Sequence, residues 1–292
     1  MAKPLTLQHY VPRFYLKHFS SIQGKKNIIC CYDKVKNSIF LQDTYNIACE
    51  NDFHDLKPGD KSTEKGFQEL EGKWSALLKE IIKRQDIDWL TTEQKETMTE
   101  FIVAQYLRPI GAREEIEDIR NQFYEKMVKY KMTPALREEL EKVKTKESIR
   151  EHHIDMLNDF RELAKYAFHF KWCLIINNTK TNFWTSDNPT VKWNNVDHGS
   201  YGNLGFTCRG FELHFPLSPN LLLILCDPVA FSHLPSKVHT EDINHVIYEN
   251  NLQIFNSTRF LFSKDGNFYF ARKYLQEHPK YRDPKRKKVT VS

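Results

Sequence analysis

Glycine is scarce in this chain, ten residues in 292, and none of it falls in a phosphate-cradling pattern. Neither G-x-x-x-x-G-K-[ST] nor G-x-G-x-x-G occurs, so P-loop hydrolysis and dinucleotide-dependent redox chemistry have no anchor. H-E-x-x-H and G-x-S-x-G are missing too, which removes the ordinary zinc-protease and serine-hydrolase readings. Long apolar runs are also lacking. The longest, Leu221-Leu222-Leu223-Ile224-Leu225-Cys226, is strand-sized and far below the roughly 20 residues that cross a bilayer. The start of the chain shows no apolar signal core followed by a small-residue cleavage site. Six cysteines, at 30, 31, 49, 173, 208 and 226, form no C-x-x-C pair. Reduced, mostly buried thiols in a cytoplasmic protein with no membrane partner are the expectation.

Charge of one sign is lacking outside one place. The formal net charge is +5, and residues 280–292 hold Lys280, Arg282, Lys285, Arg286, Lys287 and Lys288 against Asp283 alone. The tail accounts for the whole excess, and the body is balanced. Lys285, Arg286, Lys287 and Lys288 are a candidate nucleic-acid contact; a solvated basic terminus is the plain alternative.

What is present is a core. Hydrophobic residues make up 40% of the chain and aromatics 13%, enough to exclude global disorder. Pro12 is placed to begin a short helix over 13–19, leaving Gln8, His9 and Tyr10 extended ahead of it. Strands are predicted at 27–32 and 38–41. Ser62 heads a helix to about Arg84 with Phe67, Leu70, Trp74, Leu77, Leu78 and Ile81 on one face. A second helix starts near Thr92 and ends or kinks at Pro109. Residues 112–131 and 134–170 are charged and helical. Beyond Lys171 the texture turns to strands: 172–176, 182–185, 211–215 and 221–226. A helix then follows from Thr240-Glu241-Asp242, with a closing hairpin of 259–263 and 267–271 around Asp265-Gly266. The expected fold is α+β, a mixed or antiparallel sheet with a long α-helical insertion. It forms one domain over 1–279, helix-rich at about 62–170 and strand-rich at about 171–272, with the basic tail 280–292 outside it.

Three stretches carry candidate chemistry. Gln8-His9-Tyr10-Val11-Pro12-Arg13 sets a histidine and an arginine beside a helix start, a place that can move protons or take a phosphate. In Gln105-Tyr106-Leu107-Arg108-Pro109, Gln105 and Arg108 share a helix face. Arg108 offers a fork for phosphate or carboxylate, or it is ion-paired to Glu64 or Glu71 on a neighbouring helix. Thr185-Ser186-Asp187-Asn188-Pro189 follows a strand, where Asp187 is a base or metal ligand or caps its own turn with Asn188. The two Arg-x4-His spacings, Arg13/His18 and Arg209/His214, are no more than chance supplies. His152, His153 and His169 read as surface or core histidines.

In this order, with Phe215-Pro216-Leu217-Ser218-Pro219 added, these stretches resemble the domain of unknown function 4238 family across nearly the whole chain; Thr190 stands where that pattern often has Val. The resemblance implies a bacterial protein, frequently carried on prophages or satellites, with members associated with single-gene defence against phage. It supplies no catalytic mechanism. It does imply that His9, Arg13, Gln105, Arg108, Asp187 and Asn188 converge on one pocket, with Glu64 or Glu71 at its edge. His9 would be the general acid/base, Arg13 and Arg108 phosphate or oxyanion partners, and Asp187 an orienter or metal ligand. Without a recognisable Ser–His or Cys–His pair, phosphodiester cleavage suits this set better than acyl transfer. The expectation is a defence nuclease, on RNA ahead of DNA, with no cofactor unless a divalent metal, and with a phage protein as candidate trigger. The alternatives are a non-enzymatic sensor or binding protein for a phage component, and a small-group transferase. The oligomeric state is not indicated.

Overall fold

A strand from near the start of the chain and one from near its end pair in one sheet. In the computed structural model, which describes residues 7–55, 62–130, 133–196 and 205–289, β1 (Leu7–His9) pairs antiparallel with β5 (Cys49–Asn51), setting His9 opposite Cys49. Pro12 caps α1 (Arg13–Leu16), and a 3₁₀ turn, Lys17–Phe19, completes the expected helical segment. β2 (Ser21–Gln23), β3 (Lys26–Asp33) and β4 (Ser38–Asp43) then form an antiparallel group. β3 also pairs with β12 (Phe260–Ser263), and β12 with β7 (Thr185–Ser186).

The helical insertion begins with α2 (Ser62–Arg84), whose Phe67, Trp74, Leu77, Leu78 and Ile81 are buried as their spacing requires. α3 (Thr92–Leu107) opens on a capping box between Thr91 and Gln94, which satisfies two orphan donors reciprocally. Pro109 ends it and caps α4 (Ile110–Met127). The single stretch expected over 134–170 is three helices: α5 (Pro134–Lys142), α6 (Lys146–Asn158) and α7 (Phe160–Phe168). Thr145 caps α6 by accepting from the Ser148 N–H, and Asp159 leaves helical geometry between α6 and α7. Sequence periodicity continues across both breaks, which is why they do not show.

The second sheet has the order β11-β6-β10-β9-β8, built from β6 (Lys171–Asn177), β8 (Val191–Asn194), β9 (Phe211–Ser218), β10 (Leu221–Cys226) and β11 (Lys237–Thr240). All pairs are antiparallel except β11 with β6. Every residue of β9 and β10 is buried, so β10 reads as an unbroken apolar run. β9 extends through Pro216 to Ser218, past the end expected at 215. On one face Tyr15 stacks on Phe215 at 5.0 Å between ring centroids, with Phe101 edge-on. On the other lies α8 (Ile243–Asn256), capped by Asp242. The fold is thus a mixed α/β one, with antiparallel sheets and a helical region inserted between strand clusters.

Two predicted elements differ. Residues 267–271 are not a hairpin arm; they start α9 (Tyr269–Glu277). Both edges of β12 are already occupied, by β3 and β7, while Phe268, Ala271 and Leu275 at helical spacing bury against Tyr32 and Trp184. Of the strand expected at 182–185, only Thr185 pairs, together with Ser186 just beyond it. The Trp184 N–H is held instead by the Asn250 side chain, which also donates to the Asn182 carbonyl. The basic tail is partly docked. Arg286 donates to the Phe255 and Ser257 carbonyls, and Lys288 lies 3.1 Å from Glu114. Lys285 and Lys287 remain exposed.

A buried charge chain ties β9 to α8. His214 lies 2.9 Å from Glu249 through Nδ1 and 3.4 Å from Glu212 through Nε2, and His245 approaches Glu249 at 3.5 Å. Burial works to lower the His214 pKa, but Glu249 and Glu212 together raise it to about 10, while His214 holds Glu249 below its usual range. The imidazolium's contribution is therefore complete below its ordinary 6.5 and lost as pH rises through about 10. Urea unfolding across pH 7 to 10 should show wild type losing stability faster than His214→Gln, by up to about 1.4 kcal/mol per pH unit. Parallel slopes would refute the assignment.

Gly111 is a second constraint. A Cβ there would sit 2.6–2.8 Å from the side-chain atoms of Asn188, whose Oδ1 accepts the Gly111 N–H. Gly111→Ala should cost about 1–3 kcal/mol by overpacking. An unchanged thermal midpoint would show that this contact can relax.

Candidate functional site

Arg108 closes α3 just before Pro109 and is only 1% exposed. Its guanidinium lies 2.7 Å from Glu71 and 3.6 Å from Glu64, and stacks over the Phe67 ring at 4.6 Å. The two acids are seven apart on α2, so two helical turns put both on the face that meets α3. The ion-pair alternative read for Arg108 is present, with both carboxylates. Its Nε is buried without a hydrogen-bond partner. One turn earlier, Gln105 is fully buried, and neither of its amide atoms finds a partner among the described residues.

His9 and Arg13 stand at the more open side. The His9 Nε2 donates to the Tyr45 carbonyl at 3.0 Å, and Arg13 lies over the Tyr45 ring at 4.6 Å. A carbonyl can only accept, so Nε2 carries the proton and Nδ1 is left as an acceptor. Burial chiefly, then the charges of Arg13 and Arg108, bring the His9 pKa down to about 4, against the pull of the Tyr45 carbonyl. His9 is therefore neutral near pH 7. Tyr45 is half-exposed beside it.

Pairing across β1 and β5 also sets Cys49 opposite His9, with its Sγ directed at the same Tyr45 carbonyl. Burial, helped by Glu50, raises that thiol to about 11. With His9 at about 4, the proton stays on sulfur, and the pair does not become a thiolate–imidazolium couple.

Sequence reasoning missed the deeper half of this cluster. His54 is buried, donates from Nδ1 to Glu64 at 3.2 Å, and is depressed well below its ordinary value by burial and then by Arg108, Arg113 and Arg150. Its backbone N–H is held by the Gln8 side chain, which also donates to Asp55. His153 on α6 donates from Nε2 to the Leu107 carbonyl and accepts at Nδ1 from Arg113. Burial first, and Arg113 second, bring it to about 3. Arg113 of α4 stacks on Phe53 and donates to the Phe53 carbonyl; Arg150 of α6 donates to the Asp52 carbonyl. The only signal for these residues was Gln8, inside the opening stretch. His153 had read as one more helix histidine.

Asp187 and Asn188 belong to a neighbouring group. The Asp187 carboxylate accepts the N–H groups of Thr258 (2.8 Å), Arg259 (2.6 Å) and Phe260 (2.7 Å). Asn188 accepts from Gly111 and donates to the Asn256 carbonyl and Thr258. Asp187 thus caps a distant segment rather than its own turn, while Ser186 makes the local turn with Asn188. Glu114, Lys288 and the buried Lys34, which donates to the Ile254 and Ser257 carbonyls, complete this group. The two groups meet at Tyr10, the residue after His9, whose pKa is raised by burial and then by Asp187 and Glu50. Among the described residues no set of three or more His, Cys, Asp or Glu is arranged to hold a metal ion, and no helix is long and apolar enough to cross a membrane.

The structure therefore has a buried His/Arg/Glu cluster, with His9, Arg13, Glu64, Glu71 and Arg108 in it, and Asp187 and Asn188 in a polar group beside it. No curated protein and no solved structure matches the chain. The family model described as "Protein of unknown function (DUF4238)" matches residues 7–267, a span that takes in both polar groups apart from Lys288, and the chain belongs to that family.

Proposed function

We propose that the His9–Arg13–Arg108 end of the cluster holds a phosphoryl group and that the protein cleaves nucleic acid, RNA ahead of DNA, as a defence effector against phage. The observation that carries this reading is a neutral His9 with Nδ1 left as acceptor, under the field of two guanidiniums. A phosphodiester needs cations for its oxygens and a base for the attacking hydroxyl. RNA brings that hydroxyl itself: His9 takes the proton of the 2′-OH, and the 2′-oxygen bonds to phosphorus to give a 2′,3′-cyclic phosphate as the P–O5′ bond breaks. The 5′-oxygen leaves with a proton taken from water, His9 then giving up its own to solvent. Gln105, with both amide atoms unpartnered, supplies further donor and acceptor capacity. The part proposed for Asp187 and Asn188 is positional, since their polar atoms hold backbone. A binding protein is the second reading, favoured by the enclosure and existing ion pairs of Arg108.

Incubation of purified protein with total RNA and total DNA, with and without Mg²⁺, should show RNA cleavage that His9→Ala lowers by about 10²–10⁴-fold. No cleavage above the His9→Ala control would end the nuclease reading. If His9→Ala also left protection against phage intact in plaque assays, the binding reading would stand.

The pH profile offers a separate check. A base works when deprotonated, so kcat/KM should rise as pH climbs through about 4 and level off near 6. Arg13→Gln removes a cation that lowers His9 and should move this limb upward. A limb at 6.5 in wild type would show that His9 is not the base.

A further inference from the structure

Arg113 and Arg150 are two half-buried guanidiniums for which the reading above has no use. Among the described residues neither forms an ion pair with a carboxylate, unlike Arg108 with its two. Each donates one Nη2 hydrogen bond to adjacent carbonyls of one loop, Phe53 and Asp52, and each keeps a buried Nε with no partner. They are close enough for Arg150 to depress Arg113. Both act on His54, as Arg108 does, so three cations surround one neutral, buried ring. His54 and His153 add no charge there: burial and these same arginines keep both imidazoles unprotonated.

A cation pair with no carboxylate at contact distance, Glu50 acting on Arg113 only from further off, fixed by backbone carbonyls and backed by Phe53, can receive an anion. We propose that Arg113 and Arg150 form a second phosphate subsite, so that the ligand carries two phosphoryl groups in tandem, one at His9–Arg13–Arg108 and the next at Arg113–Arg150. This rests on the phosphoryl reading of the first site. Each arginine has five N–H donors; Arg113 has committed Nη2 to the Phe53 carbonyl and His153, and Arg150 its Nη2 to the Asp52 carbonyl, leaving Nη1 of each for phosphate oxygens. Buried Arg108, only 1% exposed, is beyond the reach of a duplex. The tandem phosphates are therefore those of a single strand or of a nucleoside diphosphate.

Calorimetric titration with inorganic phosphate, pyrophosphate and a 5′-phosphorylated deoxydinucleotide, which lacks the 2′-OH, tests this on the full chain. Wild type should bind one of the two diphosphorylated ligands at least about tenfold tighter than inorganic phosphate, the scale of one added charge-assisted contact. Arg113→Gln with Arg150→Gln should bring that ratio to about threefold or less, on the same energy scale. Arg13→Gln should weaken all three ligands together. Arg113→Lys with Arg150→Lys, which keeps the charge, should restore part of the ratio and guards against a loop that merely loosens. A preference for the dinucleotide would assign a strand, and one for pyrophosphate a diphosphate group; either supports the subsite. If phosphate binds through Arg13 and neither larger ligand gains, or the gain survives in the Gln variant, the second subsite is wrong and the first stands. If no phosphate ligand binds, both fall.

Discussion

A guanidinium closed off from water must find negative charge at contact distance, and Arg108 finds it twice on one helix. Desolvating an arginine costs several kcal/mol, which only close and well-formed partners offset. Glu64 and Glu71 meet that demand from successive double turns of α2, and much of the cluster's order follows. The pairing holds α2 against the end of α3, gives His54 a carboxylate to donate to, and aims a positive field at His9. Removing both acids would leave the guanidinium buried without compensation, a loss of about 3–5 kcal/mol where such pairs have been broken.

The motifs that the sequence sets far apart also meet for reasons of packing. The Tyr15 hydroxyl donates to the Pro216 carbonyl and lies 2.7 Å from the Thr185 hydroxyl. That single atom joins the opening helix, the end of β9 and β7. Asp187 then fixes Thr258–Phe260, the entry to β12, through three N–H groups. The Asp187 group thus has a structural task in the fold, while the His/Arg/Glu cluster is consistent with a catalytic or binding site.

Legibility followed length and one-sidedness. α2 could be read because its 23 residues carry a repeating apolar face, and α3 because Thr91 and Gln94 cap its start and Pro109 stops it. β10 could be read because six apolar residues stand together. β1, β5, β8 and β11 have three or four residues each, too few for alternation to declare itself. Asp265-Gly266 is a turn signal whatever follows it, and α9 rather than a strand followed because β12 had no free edge. The ion pairs of Arg108 were legible, since Glu64 and Glu71 were the available acids at matching spacing. Arg113, Arg150 and His153 were not. On helices as charged as α4 and α6, inward and outward charges look alike until the neighbours are known.

The electrostatics of the cluster make its empty and filled states differ in kind. Burial first and the guanidiniums second depress His9, His54 and His153 together, and Arg113 is itself brought down to about 10, by burial and then by Arg150. Four neighbouring groups are thus held away from their ordinary proton affinities, partly by mutual repulsion. A bound phosphate would oppose the repulsive part of that field and shift each of them upward. Its charge would return basicity to His9 only when substrate is in place, so that a weak base in the free protein becomes a better one in the complex. Pre-organised cations and an imidazole neutral in advance are one arrangement, since a field that would attract an anion adds to burial in keeping the acceptor unprotonated.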